Sequence, residues 1–197
     1  MKHNRCLLYA VALAVLFLHG FLVPTHALGA PTKEKVEQQK ADIRKMADDT
    51  LARLYKTQPS AKEAIQKAAG YAVFSNFGMK ILFAGGGSGK GLAVNNSNKN
   101  ATFMKMIEVQ AGLGMGVKKF RLVWVFENPA DLEAFINSGW EVSGQATAAA
   151  QASGEGAALA GAISIKPGVW LYQLTDDGLA AELTAKGTKY YKDDKLK

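Results

Sequence analysis

Gly85-Gly86-Gly87-Ser88-Gly89-Lys90-Gly91 sets a lysine inside a glycine run, the combination that cradles phosphate in nucleotide-binding loops. That motif requires glycine where Ala84 stands and serine or threonine where Gly91 stands, and it joins a strand to a helix. Here Gly85, Gly87, Gly89 and Gly91 instead recur at every second residue, the period of a β-strand. A second set, Gly112, Gly114 and Gly116, shares that period, with Ile107, Val109, Ala111, Leu113, Met115 and Val117 at the intervening positions. Read as strands, both runs have one face almost bare. Each glycine costs about 0.5–1 kcal/mol relative to alanine, so a helix, another sheet or a ligand is expected close against that face.

Nucleophilic and metal chemistry is thin. The single cysteine, Cys6, and the three histidines, His3, His19 and His26, all lie in the first 26 residues. Those residues read as an export signal: Lys2 and Arg5, an apolar run from Leu7 to Leu18, then Thr25-His26-Ala27 as a small-residue cleavage site. Cleavage after Ala27 is expected, with Ala30 as the alternative and an uncleaved anchor as the rival. The chain beyond would then hold no disulfide, no thiolate or imidazole metal site and no Ser-His or Cys-His pair. Asp176 and Asp177 precede Gly178 in a turn, where they serve the backbone. No convergent carboxylate set and no dinucleotide fingerprint occurs, so neither a catalytic residue nor a cofactor is expected.

Charge carries more information. Residues 78–121 hold Lys80, Lys90, Lys99, Lys105, Lys118, Lys119 and Arg121 against Glu108 alone, a net of +6. Residues 122–197 hold six basic and ten acidic groups, a net of −4. The positive field coincides with the glycine-rich strands and favours an anionic partner. Phospholipid head groups, polyanions and nucleic acid all fit such a field, and Lys80, Lys90, Lys118, Lys119 and Arg121 are the candidate phosphate-binding residues, lipid-binding if the partner is a phospholipid. Lys118 and Lys119 fall on opposite faces of a regular strand, so one patch uses both only across a bulge.

These residues need a scaffold. Val36, Ile43, Met46, Ala47, Thr50, Leu51 and Leu54 give residues 32–57 the apolar stripe of an amphipathic helix. Ser60 and Glu63 have the spacing of a capping box at the start of a short helix ending before Gly70. Strands are expected at Tyr71–Phe74, Ile81–Phe83, the glycine runs, Phe120–Phe126 and Val169–Leu174, with turns at Asn95–Asn100 and Asp176–Gly178 and a returning strand over Leu179–Leu183. Pro129 opens a short helix that Gly139 closes. The small-residue stretch 144–162 fits either two strands or part helix, and the lysine-rich end after Tyr191 is expected to fray.

Several ordered blocks together resemble the SYLF-domain family: Gly70-Tyr71-Ala72-Val73-Phe74, the first glycine run, Met104-Lys105-Met106, Gly112–Val117, Ser138-Gly139-Trp140-Glu141, Tyr172-Gln173-Leu174-Thr175 and Gly187–Asp194. The likeness runs from about Pro59 to the end of the sequence. It implies a lipid-binding module with an α+β fold. Eukaryotic members are associated with phosphoinositides and membranes, some with actin; bacterial members are exported or lipid-anchored. Affinity for anionic phospholipid carries over best, and actin binding does not.

The expected organisation is a signal at 1–27, a helical segment at 28–58 and a SYLF-like domain at 59–197. The expected fold is α+β, with N-terminal helices packed on a largely antiparallel, glycine-rich sheet or partial barrel. The function expected is a non-enzymatic, exported, periplasmic or secreted module that meets an anionic phospholipid or membrane surface and not nucleic acid. The alternative is an envelope assembly protein that packs against itself or a protein partner. Trp140 fits either a lipid interface or a core.

Overall fold

The computed structural model describes residues 32–81, 84–111, 116–142, 159–176, 178–179 and 187–197, with side chains apart from those at 76–85, 109–118 and 140–142. Helix α1 spans Lys33–Thr57, with Glu34 in its first turn and Lys56 in its last, each complementing the helix dipole. Ile43, Ala47, Thr50, Leu51 and Leu54 form its buried stripe. Helix α2 spans Ser60–Lys67 and buries Ala61 and Ile65. The expected capping box does not form: Pro59 takes the cap position with helical backbone, and the Ser60 hydroxyl instead accepts from the Gln58 amide at 2.7 Å.

The strands are β1 Gly70–Ile81, β2 Ala84–Asn95, β3 Ala101–Ala111, β4 Gly116–Phe126, β5 Trp140–Val142, β6 Ile163–Lys166, β7 Val169–Thr175, β8 Gly178–Leu179 and β9 Thr188–Lys192. They form one antiparallel sheet in the order β5-β9-β3-β2-β1-β4-β7-β6, with β8 on β7. The sheet is curled into a half-barrel and α1 packs on it, so the fold is α+β. Helix α3, Pro129–Asn137, begins at its proline as expected. Gly168 follows Pro167 in the β6–β7 hairpin with φ +78°, the left-handed conformation such a turn needs from glycine.

Period two sorts the sheet into two faces. On one, Val73, Leu92, Phe103, Val123, Tyr172 and Leu174 pack under α1 and α2. On the other, Phe74, Trp124, Phe126 and Tyr190 form an aromatic core with Leu132 and Phe135 of α3. Ring centroids there lie 4.9 Å apart for Phe126–Phe135 and 5.0 Å for Phe74–Tyr190, the range in which aromatic pairs attract beyond their buried area.

The first glycine run is a strand as read. Gly89 and Gly91 lie beneath side chains of the flanking strands. A Cβ on Gly89 would stand 2.6 Å from Met106 Cγ, and one on Gly91 2.5 Å from Phe74 Cδ1. The second run departs from expectation. Gly112 and Gly114 lie outside the described residues, and the strand read over 107–117 is divided: Ile107, Val109 and Ala111 belong to β3 and Gly116 and Val117 to β4, two strands separated in the sheet by β2 and β1.

The chain end also departs from expectation. After β9, residues 194–196 make a 3₁₀ turn that buries Leu196, and the Asp193 carboxylate accepts from the Lys195 backbone N–H at 3.1 Å. The stretch 143–158, most of the segment left open between strand and helix, and residues 180–183 of the expected returning strand lie outside the described residues.

Burial has a pH consequence. The Tyr172 phenol is held in the apolar layer under α1, which pushes its pKa up to about 12. An unfolded tyrosine ionises near pH 10, so the stabilisation is intact below about pH 10 and is lost as pH rises through about 12. Tyr190, buried against Phe74 and Trp124, shifts in the same direction and adds to the same loss. The Tyr172 hydroxyl has no hydrogen-bond partner among the described residues. Tyr172→Phe is therefore expected to be neutral or stabilising at pH 7 and to raise the alkaline unfolding midpoint, read by circular dichroism between pH 9 and 12.5. An unchanged alkaline midpoint would remove Tyr172 from the account.

Candidate functional site

Strand register places the basic residues. Across the sheet, Arg121 pairs with Ser75, Ser75 with Lys90, Lys90 with Lys105 and Lys105 with Tyr191. Adjacent strands lie about 4.8 Å apart, so this row sets three cations and a serine across four strands on the α1 face. The next row toward the glycine-rich end is Lys119, Phe77, Ser88, Ile107 and Lys189. Lys119 thus stands two residues from Arg121 along β4, on the same face.

Lys90 and Lys119 are exposed and form no ion pair with another described residue. Arg121 is partly buried, and its Nη1 donates to Thr50 Oγ1 of α1 at 3.1 Å. Thr50 Oγ1 in turn donates to the Met46 carbonyl at 2.7 Å. Arg53, one helical turn on, donates to the carbonyls of Thr175 and Asp176. Helix α1 thereby fixes two guanidinium groups at the β4–β7 side of the face. Lys105 is tied to the buried Asp193 carboxylate at 2.6 Å, which anchors the 3₁₀ turn to β3.

That last tie is testable. Asp193→Asn keeps the shape but leaves the partly buried Lys105 ammonium without its counter-charge. A loss of about 1–3 kcal/mol is expected in urea unfolding, below the figure for a fully buried pair because Lys105 still reaches solvent. An unchanged urea midpoint would make the pair energetically idle.

The five candidates do not form one patch. Lys90, Lys119 and Arg121 share the α1 face. Lys118, paired with Gly78, and Lys80, paired with Gly85 and Gly116, occupy positions of the aromatic face. The β1–β4 register runs from Gly70↔Phe126 to Lys80↔Gly116 without a shift, so no bulge brings Lys118 beside Lys119. Lys118 instead shares its cross-strand row, through Gly78 and Gly87, with Glu108. Glu108, the acidic residue of this basic segment, is buried there at 1% exposure, which leaves the α1 face of residues 78–121 without a carboxylate of its own.

Two groove residues were not singled out from sequence. Arg53 was hidden by its position in a mixed-charge helix. Lys105 was visible in the charge count, but only register shows that it faces Lys90. Side chains of α1 on this flank, Gln39, Asp42, Ile43 and Met46, wall a cavity of about 580 Å³ whose sheet side includes Ser75, Ser88, Lys90, Lys105 and Ile107. A second cavity of about 300 Å³ continues from Ser75 to Arg53, Lys119, Arg121 and Thr175.

No family model matches the chain. A homologue, Beta cell expansion factor A from Aeromonas veronii, is 35% identical over 154 residues, which is 78% of this chain. The match spans 57% of that protein, little more than half its length.

Proposed function

We propose that this chain is an exported, non-enzymatic module of the SYLF type that binds anionic phospholipid surfaces through the α1 face of its sheet. The observation that supports this most is the cross-strand row Arg121–Ser75–Lys90–Lys105, flanked by Lys119. A fixed row of cations suits a surface of many phosphates, since each basic side chain near an anionic membrane contributes only about 1 kcal/mol and several must act together. Ile107, 46% exposed in the next row, supplies an apolar contact beside the charges.

Vesicle co-sedimentation tests the reading. Vesicles of phosphatidylglycerol and phosphatidylcholine are expected to carry the protein down at low salt, and pure phosphatidylcholine vesicles to leave it in solution. Binding should fall steeply toward 1 M salt, where the Debye length contracts to about 3 Å. A protein that ignores anionic vesicles at low salt is not a lipid-surface module. A concentration-dependent rise in mass without lipid would point to the assembly role instead.

A further inference from the structure

We infer that the groove between α1 and the sheet takes one single-chain amphiphile, with its anionic head over Ser75 and Lys90 and its apolar chain along Ile43, Met46 and Ile107. This rests on the anionic-lipid reading of the same face and goes beyond it, from a surface of many lipids to one molecule bound out of the bilayer.

The groove has both halves of such a ligand's chemistry. Its larger part holds about 580 Å³, within the range of about 300–1,000 Å³ typical of small-molecule sites. Ile43, Met46 and Ile107 give that part apolar surface, Lys90 and Lys105 stand on its sheet side, and Asp42 on its α1 wall accepts from the Gln38 amide at 2.8 Å. Ser75 borders both cavities, and beyond it Lys119 and Arg121 line the smaller one. Gln39, Ile43, Met46, Thr50 and Arg53 recur at three- and four-residue steps, so one flank of α1 follows the groove for about 21 Å at 1.5 Å per residue.

Charge complementarity decides the head. Arg121 is held by Thr50 and Lys105 by Asp193, whereas Lys90 makes no ion pair with a described residue. A phosphate or carboxylate over Ser75 would meet the Lys90 ammonium on one side and the Arg121 guanidinium on the other, with the serine hydroxyl as a further donor. The chain would then run over Ser88 toward Ile107, shielding apolar surface that is now open to water.

Calorimetric titration of the full chain with dodecyl phosphate, below its micelle-forming concentration, tests this. One molecule per chain is expected, with affinity falling at least tenfold to hexyl phosphate and again to methyl phosphate. Ser88→Trp fills the groove without changing its charge. It is expected to weaken dodecyl phosphate at least tenfold and not to diminish co-sedimentation with phosphatidylglycerol vesicles, since tryptophan itself favours a membrane interface. Equal affinity for methyl and dodecyl phosphate would overturn the inference, as would full dodecyl phosphate binding by a folded Ser88→Trp. The chain-length series on the unaltered protein decides the matter even if that variant fails to fold. Vesicle binding without dodecyl phosphate binding would overturn the groove ligand alone and leave the surface reading standing. Failure of both would remove the two together. Tighter binding of polyglutamate than of dodecyl phosphate would replace the amphiphile with an acidic peptide.

Discussion

Gly91→Ala is expected to lower the melting temperature by about 6–12 °C, although it adds one methyl group. The new Cβ would meet the Val73 carbonyl oxygen and stand 2.5 Å from Phe74 Cδ1 and 2.7 Å from Phe74 Cγ. The carbonyl belongs to β1, whose hydrogen bonds to β2 and β4 hold it, and Phe74 is locked against Phe135 and Tyr190. Neither neighbour can yield cheaply, so the cost falls at the upper end of the overpacking range, about 3 kcal/mol. At about 2–4 °C per kcal/mol for a chain of this size, that gives the stated shift. Gly86→Ala is the comparison: its Cβ would meet nothing nearer than the Glu108 carbonyl at 3.5 Å. It is expected to gain about 0.5–1 kcal/mol, because alanine suits a strand better than glycine. Equal melting shifts in the two variants would refute the crowding account.

Reversing two charges is expected to weaken binding to anionic vesicles about a thousandfold. In Lys90→Glu/Lys119→Glu each substitution removes an attraction of about 1 kcal/mol and adds a repulsion of similar size, about 4 kcal/mol for the pair. At about 1.4 kcal/mol per tenfold change, that is three orders of magnitude. Both side chains are exposed and form no ion pair with a described residue, so folding should be unaffected. The control is Lys62→Glu/Lys67→Glu on α2, which changes net charge equally away from the row, with loss of the exposed Lys67–Glu63 pair at 2.6 Å. If the control weakens binding as much, net charge and not the row attracts the membrane, and the proposed site is wrong.

The contrast between Gly91 and Gly86 shows how far alternation alone reaches. Period two correctly makes residues 84–95 a strand and puts Gly86 on the face opposite Gly89 and Gly91, yet what the neighbouring strands place over each glycine lies outside that period. The helix stripe through Ile43, Ala47 and Leu54 was legible because each burial follows from spacing within one element. The Ser60–Glu63 capping box was legible and not adopted, since Pro59 entered the cap position first. The second glycine run misled for a related reason. Ile107, Val109 and Ala111 fall in β3 and Gly116 and Val117 in β4, and local periodicity carries no mark of which strand a residue joins.

The sequence by itself determined most of the individual helices and strands, the concentration of positive charge on residues 78–121 and the scarcity of groups suited to nucleophilic or metal chemistry. Those properties depend on residue type and on spacing within single elements. Only the tertiary structure decided which cations act together. Lys118 and Lys119 are neighbours in the chain and fall on opposite faces, whereas Arg121 and Lys90 are thirty-one residues apart and stand two strands from one another on the same face. Strand pairing sets that arrangement, through hydrogen bonds between backbones that look alike at every residue. Register is fixed by what each face must bury, here the Phe74–Trp124–Tyr190 core on one side and α1 on the other, and that is a property of the assembled sheet.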